Sequence, residues 1–172
     1  MKKYNREFEL IIKDIASNNT VKKMKNFNQH YDTNCFEHCI RVSYISYLIC
    51  KKLKLNYKAA ARAGMLHDLF LYDWRKRQDG RKGLHAFTHP KTALENSTKL
   101  FELSDIEKDI ILKHMWPVTI KLPKYKESYI VTLVDKYSAI TESLSYYYRN
   151  ILSKKTLRLA YVFLSLFMLD II

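Results

Sequence analysis

Three histidines and one aspartate stand where a helical pattern would turn them inward. His38 shares a stripe with Val42, Ile45 and Ile49, and His67 follows Ala60 and Ala63 on one face. His114 comes one and two turns after Ile110 and Ile106, and Asp135 follows Val131 by one turn and adjoins Val134. Apolar residues at such spacings mark the buried side of a helix. Asp68, next to His67, adds a second carboxylate, and His89, next to Pro90, adds a fourth imidazole. Burying even a neutral amide without a partner costs about 2–7 kcal/mol, and an unpaired carboxylate costs more. One such histidine is ordinarily a hydrogen-bonded core residue. Several, on separate helices, can satisfy one another by converging on a cation.

The set His38, His67, Asp68, His89, His114 and Asp135 offers nitrogen and oxygen but no thiolate. That mixture suits Fe or Mn, with Zn, Co, Ni or Mg as further divalent choices, and differs from a structural Cys-rich zinc site. Six protein ligands are too many for one catalytic ion with an open position. They suit two divalent ions, with one carboxylate between them. Such a pair clamps and activates a water for attack on phosphorus.

These side chains need helices to carry them. Tyr4 to Ile15 reads as an amphipathic helix, followed by a basic stretch with Lys22, Lys23 and Lys25. Asn34 and Glu37 have capping-box spacing ahead of a helix over Cys35 to Leu53, and Asn56 caps another over Tyr57 to His67. Asp73 to Thr88, with Gly80 and Gly83, is the longest loop, and Pro90 suits the first turn of the helix after it. Ser104 and Glu107 form a second capping box for a helix over Asp105 to His114, which Trp116-Pro117 ends. Further helices are expected over Glu127 to Tyr148 and Lys154 to Ile172. The apolar end, Leu159 to Ile172, would be about 21 Å long as a helix. A bilayer core needs about 30 Å. With Ser165 and Asp170 inside it, this stretch is read as a core or dimer helix.

Composition agrees with an all-α protein. Three glycines and three prolines in 172 residues leave little for the turns of a sandwich or barrel, or for a Gly-rich phosphate loop. That length suits a single domain, 1–172. The 30 Lys and Arg exceed the 17 Asp and Glu, a formal charge of +13 that attracts anions. The lysines are scattered, so a basic surface serving only solubility is the plain alternative. Cys35, Cys39 and Cys50 are odd in number and read as free core thiols. Together with a polar start, Met1 to Arg6, they imply a reducing cytoplasm.

His38, the doublet His67-Asp68, His114 and Asp135 resemble the HD-domain superfamily of metal-dependent phosphohydrolases, and His89 with His114 resembles its dinuclear branch. The local contexts are Met65-Leu66-His67-Asp68-Leu69, His89-Pro90-Lys91 and Val134-Asp135-Lys136, and the likeness covers about 36–142. The resemblance implies an all-α bundle. It implies that His38, His67, Asp68 and Asp135 hold a first metal, that Asp68 bridges, and that His89 and His114 hold a second. The nucleophile it implies is a water or hydroxide between the ions, oriented by Asp68. Arg41, Arg75, Lys91 and Lys136 are candidates for binding phosphate, against the plainer reading as solvated charges. His85 is read as an exposed loop histidine, with leaving-group acid as the alternative, and Trp116 as a core residue or a base-stacking platform. No Gly-Tyr-Pro follows the doublet as in cyclic-dinucleotide phosphodiesterases, and Leu69-Phe70 replaces the Ile-Gly of many relatives, so no substrate transfers from those groups.

The expected function is hydrolysis of a nucleotide or related phosphate ester, with a homodimer possible and no stable nucleic-acid or membrane partner. Two alternatives differ in class. A di-iron oxygenase of the same superfamily, cleaving C–C or C–P bonds, would use the same six ligands. A nucleic-acid-binding module would need a continuous basic face with aromatic platforms.

Overall fold

The computed structural model describes residues 4–30, 32–76 and 83–151. Among them the chain is an all-α bundle with one two-stranded ribbon. The order is α1 (Arg6–Ile11), α2 (Lys13–Ser17), α3 (Asn19–Lys22), a 3-10 turn (Lys23–Asn26), β1 (Asn28–His30) and β2 (Thr33–Asn34). Then follow α4 (Cys35–Lys52), α5 (Tyr57–Leu66), α6 (His85–Leu100), α7 (Asp105–Lys113) and α8 (Lys126–Ile151). The expected last helix, 154–172, lies outside the described residues.

Local chemistry sets most boundaries. The side chains of Asn34 and Asn56 accept the N–H groups of Glu37 and Ala59, capping α4 and α5. Ser104 and Glu107 form both halves of a capping box at α7. Two expectations are corrected. The first helix is not continuous from Tyr4 to Ile15: it breaks at Ile12, and α2 starts afresh. Pro90 is not in a first turn, because α6 begins at His85, one turn earlier than expected. The ring removes only the N–H that would reach back to Ala86. Starting there places His85 and His89 on one face, where their rings stack 4.4 Å apart.

α4 is the central element, packed on α5 and α8, while α7 closes against α5, α6 and α8. The core between them holds Cys35, Cys39, Val42, Met65, Leu66, Leu69, Ile110, Ile111 and Val131. Gly64 of α5 permits a close approach to α4: a Cβ there would lie 2.8 Å from Ser43 Cα. A smaller core joins Phe8 and Ile12 to Tyr47 and Ala61, and docks α1 on the bundle. No helix among the described residues is long and apolar enough to cross a membrane.

Candidate metal centre

Five helices bring the six ligand candidates together, all buried. His38 sits in the second turn of α4. His67 and Asp68 occupy the turn that ends α5, where Phe70 N–H bonds back to Asp68 O (2.7 Å) and Cys35 Sγ–H donates to the same carbonyl (3.2 Å). His89 comes from α6, His114 from the end of α7, and Asp135 from the third turn of α8.

The histidines are oriented from behind. Nδ1 of His67, His89 and His114 lies 2.8, 2.8 and 2.9 Å from the carbonyl oxygens of Gly64, His85 and Ile111. A carbonyl only accepts, so each Nδ1 carries its proton, and Nε2 of the neutral ring is a lone pair aimed inward. Nδ1 of His38 donates to the buried Glu142 carboxylate (3.0 Å). Backing of this kind fixes tautomer and ring plane in metal-binding histidines.

The inward atoms form two groups that share Asp68. His38 Nε2 is 3.0 Å from Asp135 Oδ1, and His67 Nε2 is 3.6 Å from the same oxygen and 3.4 Å from Asp68 Oδ2. On the other side, His89 and His114 Nε2 lie 3.2 and 3.4 Å from Asp68 Oδ1. Those two nitrogens are only 2.8 Å apart. His67 Nε2 and Asp68 Oδ1 are buried without a hydrogen bond among the described residues. Lone pairs and carboxylate oxygens facing one another in a dry pocket repel unless a proton or cation lies between them. The residues present fit a metal: each of the triads His38–His67–Asp68, His67–His114–Asp135 and Asp68–His89–His114 holds its ligand atoms within 4.8 Å.

Without metal, protons take part of that role. Burial disfavours the His38 imidazolium, but the Asp135 and Glu142 carboxylates outweigh it and hold its pKa well above the ordinary value. His67 is held up in the same way, against burial, by Asp68. Asp68 and Asp135 stay far below the usual carboxylate range, because neighbouring imidazoles outweigh the burial that would raise them. Burial pushes His114 down, so it stays a neutral donor.

A cavity of about 290 Å³ opens on the ligand candidates Asp68, His89, His114 and Asp135. Gln29, Trp74, His85, Met115, Val118 and Lys136 line the rest. Lys136 is the one phosphate-binding candidate that lines it. Its Nζ donates to His114 O (2.9 Å), and burial lowers its pKa. Arg41, Arg75 and Lys91 are placed elsewhere. Arg41 turns to Thr141 (2.8 Å) and lines a separate hollow of about 840 Å³ with Glu142, Tyr147 and Arg149. Arg75 folds back on Asp73 (3.0 Å). Lys91 is two residues past His89, so it points outward and pairs with Glu95 (3.8 Å). Trp116 packs on Tyr129 and is not in the cavity wall. His85 is a correction: it opens α6, stacked between Trp74 and His89, with Nδ1 3.1 Å from Tyr72 OH. Gln29 and Glu142 carried no signal in the sequence, since their partners stand 39 and 104 residues away.

The family model described as HD domain matches residues 35–140 of the chain. Neither the curated proteins nor the solved structures yielded a match.

Proposed function

We propose that this chain, which belongs to the HD domain family, is a dinuclear phosphohydrolase acting on a nucleotide or related phosphate ester. The superfamily is one of metal-dependent phosphohydrolases, and the buried His and Asp groups can bind divalent metal. The observation that carries the dinuclear reading is the split of Asp68: Oδ2 faces His67, while Oδ1 faces His89 and His114.

In this reading His38, His67, Asp68 and Asp135 hold one ion, and Asp68, His89 and His114 hold the other. Fe or Mn is the proposed pair, with Zn, Co, Ni or Mg as substitutes. Bound ions would supply positive charge for the phosphoryl oxygens and lower the pKa of an attacking water. Asp68 orients the attacking water through a carboxylate oxygen. The Lys136 ammonium, half-buried at the wall, meets negative charge that grows on the phosphoryl group. Trp74, Met115, Val118 and Ala139 give the cavity an apolar wall that takes the organic part of the ester and sheds bulk water. At about 290 Å³ the cavity sits at the small end for ligand sites, which favours a small ester over a polymer. We place the protein in the cytoplasm, a reading supported by the three buried free thiols.

The test is metal content together with turnover. Chain purified without chelator and reconstituted with Fe or Mn is expected to hold close to two ions and to release phosphate from some member of a nucleotide and phosphomonoester panel. Metal content near zero after reconstitution overturns the reading. Two irons with oxygen uptake on a polyol or phosphonate, and no phosphate release, replaces it with the oxygenase.

A further inference from the structure

We propose that Gln29, from the ribbon ahead of α4, is a positioning residue for the metal centre: it pins the plane of the bridging Asp68 carboxylate. The inference rests on the dinuclear reading of the site. Gln29 lies outside the span 35–140 that matches the family model, so membership does not supply this role.

Gln29 Nε2 donates to Asp68 Oδ2 at 2.5 Å. A carboxylate oxygen only accepts, so the amide has one possible orientation, with its NH2 toward Asp68. Among the described residues its own Oε1 is enclosed with no hydrogen-bond partner, so the Nε2 contact orients the amide. The contact falls on a joint that needs fixing. The terminal torsion of an Asp is broad and roughly two-fold, so nothing intrinsic keeps Oδ1 toward one ion and Oδ2 toward the other. A carboxylate that turns by a few tens of degrees can chelate one ion with both oxygens instead of bridging two. A donor on Oδ2 resists that turn. The imidazoles of His89 and His114 face Oδ1; on Oδ2, where His67 Nε2 stands 3.4 Å away without a hydrogen bond, Gln29 supplies the hydrogen bond.

The backbone explains why Gln29 can hold this place. β1 pairs antiparallel with β2, which runs directly into α4, and Phe27 O accepts the Cys35 N–H (2.8 Å). The thiol of Cys35 in turn donates to Asp68 O (3.2 Å). The ribbon is thereby indexed to the backbone of the residue whose side chain it holds.

The experiment is a manganese titration of the metal-free 172-residue chain, read by electron paramagnetic resonance, which separates isolated Mn(II) from an exchange-coupled pair. Wild-type chain is expected to form the coupled pair. In Gln29→Leu, and in the shorter Gln29→Asn, the first ion binds nearly as before while the second weakens about 10–100-fold, the usual cost of losing an outer-shell partner. Asp32→Ala removes an exposed ion pair with Arg149 (3.2 Å) beside the same ribbon, leaves Gln29 and its backbone pairing in place, and is expected to load both ions as wild type does. Circular dichroism checks the fold of each variant. A coupled pair that survives at full affinity in both Gln29 variants overturns the proposal alone, as does an equal loss in Asp32→Ala. Wild-type chain that binds ions but never shows coupling overturns the dinuclear reading, and the proposal with it.

Discussion

Two carboxylates and four imidazoles share a small buried volume, and removing them one at a time separates their roles. Asp68 faces both ligand groups, so Asp68→Ala is expected to abolish activity and weaken both ions. His89 faces one group only, so His89→Ala is expected to lose mainly the second ion. Metal content of the two variants checks this, and loss of a single ion in both would contradict the bridge. The protonation pattern gives a second expectation. His38 and His67 hold protons above the ordinary histidine range in the metal-free chain, sustained against burial by Asp135, Glu142 and Asp68. Metal needs the same Nε2 lone pairs, so binding must displace those protons. Apparent metal affinity is therefore expected to rise with pH through and above the histidine range. Calorimetric titration in buffers of different ionisation heat would show the released protons, and pH-independent affinity would refute the linkage. Much of this candidate site was legible in the sequence, because His38, His67, His114 and Asp135 share helix faces with apolar neighbours, and Asp68 and His89 stand beside His67 and Pro90. Gln29, Glu142 and the Trp74–His85 stack were not. Their contacts join residues far apart in the chain or lie in irregular backbone, and leave no period to read.

At the scale of elements, the site depends on how closely α4 and α5 approach. Gly64 sits where a methyl group would strike the α4 backbone at Ser43 Cα, 2.8 Å away, and backbone yields less easily than a side-chain tip. Its carbonyl also accepts the His67 Nδ1 proton. Gly64→Ala gains about 1 kcal/mol of helix propensity. Overpacking typically costs about 1–3 kcal/mol. A net loss of stability is expected, with lower metal affinity as α5 shifts; urea unfolding and metal titration would measure both, and a stabilised variant would refute the packing argument. The α1 contact has a pH signature. Glu7 accepts from Tyr47 (2.7 Å) and Tyr57 (3.1 Å) and pairs with Lys51. The Lys51 and Tyr47 hydrogen bonds lower its pKa to about 2. A depressed acid stabilises above its unfolded value and loses that contribution as pH falls toward the folded one. Glu7→Gln is expected to flatten the fall in stability between about pH 5 and 2, and an unchanged acid limb in thermal unfolding would show that the contact contributes nothing. Capping residues made the starts of α4, α5 and α7 readable in advance. The break at Ile12 and the early start of α6 were not, because Phe8 and Ile12 dock on Tyr47, and His85 on Trp74, through tertiary packing that outweighs local preference.

For the whole molecule, the composition foretold an all-α fold, and it also foretells how the surface acts on a charged ligand. The formal charge of +13 creates a field that attracts anions from beyond contact range. Its range shrinks with salt, from about 10 Å at 0.1 M to about 3 Å at 1 M. The positions of the four cations expected to bind phosphate divide this effect in two. Lys136 lines the cavity and is half-buried, so its charge acts at short range and is poorly screened. Lys91 and Arg75 are exposed on the outer surface and paired with Glu95 and Asp73, so they act only as part of the distant field. For the phosphate ester proposed as substrate, kcat/KM is expected to fall as salt rises while kcat changes little, because steering acts on encounter. Lys91→Ala and Arg75→Ala should lower kcat/KM slightly at low salt and not at high salt. Lys136→Ala should lower it at both, and kcat as well, because its charge meets the phosphoryl group itself. Rates at two ionic strengths for these three variants test the division. A Lys136 effect that vanishes in salt would return that residue to the outer field, and a salt-independent kcat/KM in the wild type would mean that the basic surface serves solubility and does not steer the substrate.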